Sequence, residues 1–213
     1  MAENETEEQQ IDAIKEWWNK NGNAVIVGAT LGIGALVGWK GWGAYTEQQY
    51  LLASDRYAAM QESILQQDID AVLVQAQELK KDYSSTPYAA LASLMLAKSH
   101  AENVEYQEAL THLQWVVDNA KQETLRSIAK LRMIRLHIVE DRLDQAQALL
   151  NESYPISFAS LKEELRGDWH VSRGEFEEAR AAYDSAIATA AEDQIDYLIM
   201  KRDNAIASKQ SNV

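Results

Sequence analysis

Imidazole is the side chain best suited to metal binding or acid–base work near neutral pH. Three of the four histidines, His100, His137 and His170, recur in register, each nine residues ahead of an alanine: Ala109, Ala146 and Ala179. A zinc site would need such nitrogens about 2 Å from one ion. Equivalent positions on neighbouring packed helices stand on the order of 10 Å apart, so the three cannot share an ion. Each reads instead as a residue lodged between two helices. The acid pairs Glu163, Glu164 and Glu177, Glu178 read as solvated helix faces. The chain has no cysteine, which removes thiol catalysis, zinc–thiolate sites and disulfides. It carries no G-x-S-x-G, H-E-x-x-H or P-loop pattern. Gly32 and Gly34 open like a dinucleotide-binding loop, but the closing glycine would fall on Val37 and no strand precedes it. No catalytic set, cofactor or metal site is expected, and an enzyme finds no support.

The histidines belong to a repeat. Tyr106 and Ala109 are matched 37 residues on by Leu143 and Ala146, and another 33 residues on by Phe176 and Ala179. A large residue follows each alanine at the fourth position (Leu113, Leu150, Tyr183) and at the eighth (Val117, Tyr154, Ile187). Repeats of about 34 residues, each a helix pair, stack into a solenoid. The fullest copy has Gly167, Gly174, Ala179, Tyr183 and Ala186 in place, and it resembles the tetratricopeptide motif. It departs from that motif at Glu163 and Ala191, where the family has Trp and Pro. Ala97 and Ile134 replace the small glycine in the earlier copies. Residues 47–82 read as a degenerate first pair, and 192–208 as a helix capping the stack. Two glycines and two prolines in residues 46–213 fit an all-helical domain. The resemblance implies an all-α, right-handed helical solenoid.

A solenoid of this kind binds partners on its concave side, lined by the first helix of each pair. Counting from the alanine register, the inward positions are Leu91, Leu94 and Lys98, then Ile128, Leu131, Arg135 and Ile138. The third repeat adds Leu161, Glu164, Asp168 and Val171. Aliphatic patches with scattered charge suit an extended or helical segment of a partner. The alternative is that these aliphatics are core and the register is one residue off.

Ahead of the repeats, no charged residue lies between Lys20 and Lys40. A helix needs about 20 such residues to cross a bilayer. Trp17 and Trp18 precede the stretch, and Trp39, Trp42 and Tyr45 close it, as interfacial belts do. Residues 23–45 are therefore expected to be one transmembrane helix. Residues 1–22 form an acidic arm, with a Thr6–Gln9 capping box and a short amphipathic helix over 7–18. Asn19, Asn21, Gly22 and Asn23 are expected to break that helix before the span. Gly28, Gly32, Gly34 and Gly38 make two small-xxx-small pairs, where another membrane helix can approach closely. A buried core helix fits the double aromatic bracket less well. A cleaved signal peptide would need a basic leading region and a clear cleavage site, and the sequence shows neither.

The net charge is −13, and residues 46–213 carry 17 Lys and Arg against 27 Asp and Glu, a net of −10. Such a domain is not a nucleic-acid binder and does not hug anionic lipid. Lys15 and Lys20 precede the span, which favours a cytoplasmic N-terminus with residues 46–213 outside. The order of parts, an acidic arm, a Trp-bracketed glycine-rich anchor and a divergent tetratricopeptide domain, resembles the YfgM family along the full chain. That resemblance implies a single-pass inner-membrane protein with a periplasmic domain. It further implies partners in the SecYEG translocon and the prolyl isomerase PpiD, and a role in passing exported client proteins to periplasmic chaperones. The rival reading is an envelope regulator or assembly scaffold indifferent to the Sec channel.

Overall fold

The computed structural model describes residues 7–211, with side chains over 9–205; Thr6 and its expected cap lie outside that range. Among the described residues nine α-helices follow one another: α1 (Glu7–Leu65), α2 (Ile69–Asp82), α3 (Pro87–Glu102), α4 (Tyr106–Asn119) and α5 (Glu123–Val139). They continue with α6 (Leu143–Leu150), α7 (Ala159–Ser172), α8 (Phe176–Ala188) and α9 (Ile195–Ser211). Short 3-10 turns, Ile156–Phe158 and Glu192–Gln194, lead into α7 and α9. The chain divides into two compact units, Met1–Leu51 and Leu52–Val213.

In the first unit α1 runs without interruption, and the expected break at residues 19–23 does not occur. The Asn21 amide donates to the Trp17 carbonyl at 3.0 Å, so it supports the helical turn rather than competing with it. Gly22 lies against the Trp18 ring, where a Cβ would come within 3.2 Å. A glycine or asparagine inside a helix costs only about 0.5–1 kcal/mol, too little to stop a helix 59 residues long. Thr30 and Thr46 hydroxyls donate to the Ile26 and Trp42 carbonyls, both at 2.8 Å, which hides them from an apolar surrounding. By length and composition α1 is able to cross a membrane.

The second unit is built from four helix pairs and a closing helix. Each pair turns through the same motif. Gln67, Val104, Asp141 and Gly174 all have positive φ, from 56° to 73°. The next residue's N–H reaches a carbonyl five positions back: Asp68 to Ser63, Glu105 to His100, Arg142 to His137 and Glu175 to His170, at 2.8–3.0 Å. This is the Schellman ending of a helix. It recurs at Gln67, so the end of α1 with α2 is the first repeat expected at 47–82. Within the pairs, Val72, Ala109, Ala146 and Ala179 are all buried, where small side chains let two helices approach. The fourth position after each is buried as well: Ala76, Leu113, Leu150 and Tyr183. Neighbouring pairs share core residues, Trp115 packing against the clusters on both sides of it. The result is an all-α tetratricopeptide-like solenoid.

Candidate interaction surfaces

The first helices of successive pairs, α3, α5 and α7, present the positions that the repeat register assigns to a partner. Leu94 and Leu131 do not reach that surface. They are 5% and 2% exposed, because they pack into the core clusters with residues of neighbouring helices. Leu91, Ile128, Leu161, Ile138 and Val171 are half-buried. Lys98 and Arg135 are exposed and line a groove of about 370 Å³ from α3 and α5. Ala97, Ala101 and Glu102 of α3, Leu113 of α4, and Arg132 and Leu136 of α5 line the rest of it. Lys98 pairs loosely with Glu102 at 3.6 Å.

Glu164 and Asp168 have a different role, since the chain's own α9 already occupies them. Lys201 Nζ donates to Glu164 at 2.8 Å and to Asp168 at 2.7 Å. The Tyr183 hydroxyl donates to Asp168 Oδ1 at 2.6 Å, and the Tyr197 hydroxyl reaches Glu164 at 3.4 Å. Arg135 approaches Glu164 from α5 at 3.8 Å. Burial acts to lower the Lys201 pKa, but bonding and attraction to Asp168 and Glu164 outweigh it and hold the ammonium above its ordinary value. Burial, then the Asp168 carboxylate, pushes the Tyr183 phenol up. A buried carboxylate is tolerable only when paired and hydrogen-bonded, so this set fastens α9 to α7. Sequence pattern could not have found it: Lys201 lies 33 and 37 residues from its partners and outside any repeat position.

The repeat histidines sit between paired helices as expected, but with different partners. His100 Nδ1 meets Glu105 at 2.6 Å, and His170 Nδ1 meets Glu175 at 2.8 Å. Both acids stand just after the turn of the motif. His170 and then Arg173 hold the Glu175 carboxyl below the usual range. The middle repeat has Arg142 in that place, and His137 Nδ1 is left without a partner. Burial first, then Arg142, lowers the His137 pKa, Glu140 opposing. The fourth histidine, His112, stacks on His100 with ring centres 5.3 Å apart. Burial, with Lys80 and His100, lowers it to about 4. Among the described residues no group of three His, Asp or Glu is placed to hold a metal ion.

On α1, Gly28, Gly32, Gly34 and Gly38 have open space where a Cβ would stand. Trp17, Trp18, Trp39, Trp42 and Tyr45 are all exposed, and the Trp42 and Tyr45 rings lie 6.2 Å apart.

Comparison with known proteins adds to this geometry. A family model described as a tetratricopeptide repeat-like domain matches residues 15–207. A Haemophilus influenzae protein named "Ancillary SecYEG translocon subunit" is 32% identical over 186 residues, 87% of this chain and 91% of its own. The chain belongs to the YfgM family of ancillary SecYEG translocon subunits. Relatives with the same printed name include one from Escherichia coli, 29% identical over 86% of this chain and 88% of its own. Another, from Neisseria gonorrhoeae, is 27% identical over 96% of this chain and 99% of its own. No solved structure gives a significant match. The family model covers the apolar stretch of α1 and the repeats alike, residues 15–207.

Proposed function

We propose that this chain is a membrane-anchored adaptor at the Sec translocon. The observation that carries the reading is the full-length match to proteins named as subunits of that channel, combined with one helix able to cross a membrane and a tetratricopeptide-like domain. In this reading residues 23–45 cross the inner membrane, residues 1–22 lie in the cytoplasm and the solenoid faces the periplasm. The anchor docks at SecYEG. The solenoid holds a periplasmic partner such as PpiD and brings it to client proteins leaving the channel. The domain binds proteins and catalyses no reaction.

Affinity purification of the tagged full chain in mild detergent tests this. Recovery of SecY together with PpiD is the expected result. Recovery of neither would overturn the reading and leave an envelope scaffold independent of the channel. Recovery of SecY alone would keep the translocon role and remove PpiD.

A further inference from the structure

The groove between α3 and α5 gathers cations on an otherwise acidic protein. Lys98, Arg132 and Arg135 converge on it, against Glu102 alone, in a protein whose net charge is −13. Internal pairing is partial: Lys98 meets Glu102 at 3.6 Å at the exposed rim. Arg132 donates one bond, at 3.2 Å, to the Leu94 carbonyl, and among the described residues no carboxylate lies within ion-pair distance of it. Guanidinium offers five donors in a planar fork, so most of the Arg132 donors remain available. Partial burial, then Arg135, holds Arg132 below its ordinary pKa, as two cations facing each other should. Arg135 is only distantly engaged, at 3.8 Å, with Glu164, whose charge Lys201 already answers at 2.8 Å. Beneath these cations the floor is apolar: Ala97, Ala101, Leu113 and Leu136.

We infer that this groove is a receptor for an acidic segment of a partner protein, its Asp or Glu side chains held by Lys98, Arg132 and Arg135 while a neighbouring aliphatic side chain fills the Ala97–Ala101–Leu136 floor. Charge complementarity selects this occupant. A basic segment would meet three cations, and a purely apolar one would leave them desolvated and unpaired, which is costly. The chain's net negative charge disfavours non-specific contact with an acidic partner, so the cations of the groove also help fix register. Arg pairs carboxylates in a bidentate, charge-assisted fashion, and a partly enclosed site weakens such pairs less than bulk water does. This inference rests on the adaptor reading and names the chemistry by which the solenoid holds its partner.

The test uses the full chain in dodecyl maltoside micelles and fluorescein-labelled octapeptides with acetylated and amidated ends. One peptide carries two Leu-Glu pairs, and a second has Gln in place of each Glu. Fluorescence anisotropy should show the Glu peptide binding at least tenfold more tightly than the Gln peptide, with the difference shrinking as salt is raised. Lys98→Glu and Arg135→Gln should each weaken the Glu peptide about tenfold. Lys121→Glu, at another exposed cation outside the groove, should change it less than twofold. Circular dichroism checks each variant's helices. Lys98, fully at the surface, carries the test alone if Arg135→Gln perturbs the fold.

Equal binding of the two peptides, no binding of either, or equal effects of Lys98→Glu and Lys121→Glu would overturn the inference. So would binding only when the peptide's C-terminus is left free, because the receptor would then read a chain end. The channel reading fails separately. Peptide binding without recovery of SecY would remove the translocon role and leave the groove chemistry standing.

Discussion

The Tyr183 ring lies directly against Gly167, so close that a Cβ built on the glycine would come within 2.5 Å of the ring. The two occupy the facing positions of the last helix pair. The same positions are filled by Ala97 and Leu113 in the second pair and by Ile134 and Leu150 in the third, all buried. In the last pair the largest partner, Tyr183, faces a residue with no side chain. Glycine in a helix interior costs about 1 kcal/mol relative to alanine, and here it is retained because the ring needs the space.

Gly167→Ala should therefore destabilise the protein despite its better helix propensity, by about 1–3 kcal/mol from overpacking. Adding Tyr183→Leu should recover part of that loss by recreating the Ala97 and Leu113 pairing. Thermal unfolding of the full chain in micelles, taken through the double-mutant cycle, measures the coupling. Additive effects would mean the two residues do not share the contact.

Much of this packing is legible in the sequence because it repeats. Ala109, Ala146 and Ala179 mark the close helix contacts, and all three are fully buried. The first repeat is harder to read, because Val72 stands in for the alanine and Gln67 for the glycine of the turn. The sequence marks 47–82 only as a degenerate pair, and the shared backbone motif at Gln67 fixes its register. Long-range contacts leave no periodic trace, which is why the Lys201 set was not legible. The inward register was partly legible: it placed Lys98 and Arg135 on the groove but could not distinguish them from Leu94 and Leu131, one turn away in the core. The uninterrupted α1 was misread from local propensity. A cluster of Asn and Gly weakens a helix, but the Asn21–Trp17 bond and the long flanking helix outweigh it.

The α9 fastening predicts both a mutational and an alkaline signature. Lys201→Met leaves Glu164 and Asp168 without their cation and should cost about 3 kcal/mol. Lys201 binds its proton more tightly in the fold than its ordinary 10.5, Tyr183 is likewise raised from 10.0, and burial with Glu152 raises Tyr154 to about 12. Groups with raised folded pKa values stabilise fully below their unfolded values and lose that contribution as pH rises through the folded ones. The melting temperature should thus hold level up to about pH 10 and fall beyond it, and Lys201→Met should flatten that fall. A variant with an unchanged alkaline limb would show that Lys201 is not part of this linkage.

Acid should act through the histidines. His112 titrates at about 4 in the fold, against about 6.5 in an unfolded chain, and its Nδ1 is buried without a partner. The unfolded chain takes up the proton first, so stability is complete above about pH 6.5 and declines as pH falls toward 4. His137, lowered in the same direction, adds to the decline. Urea unfolding at several pH values between 7 and 4.5 should show it, and His112→Leu should reduce the slope. Parallel curves for parent and variant would rule out His112 as the source.

The proposed orientation rests on the charges beside the apolar stretch. Lys15 and Lys20 precede it, which would keep residues 1–22 in the cytoplasm and export the solenoid. Alkaline phosphatase fused after Val213 should be active in intact cells, and the mature protein should keep its first residues. An inactive fusion, or a mature N-terminus beginning after Gly43, would defeat this orientation.

The glycines of α1 bear on how the anchor docks. Gly28 with Gly32 and Gly34 with Gly38 are each one turn apart, and the second pair follows the first by six residues, which turns it by about 120° around the helix. They present two different close-approach faces, each open in the structure. Membrane helices associate by close packing and have little hydrophobic drive toward one another, so a leucine in place of glycine holds the partner backbone away while making the span more apolar. Gly28→Leu with Gly32→Leu, and separately Gly34→Leu with Gly38→Leu, should show which face meets the channel. One pair of substitutions is expected to reduce SecY recovery severalfold while the solenoid's melting temperature and its peptide binding stay unchanged. If both pairs are silent, or if residues 46–213 without the anchor recover SecY as well as the full chain does, then the solenoid rather than the span makes the channel contact.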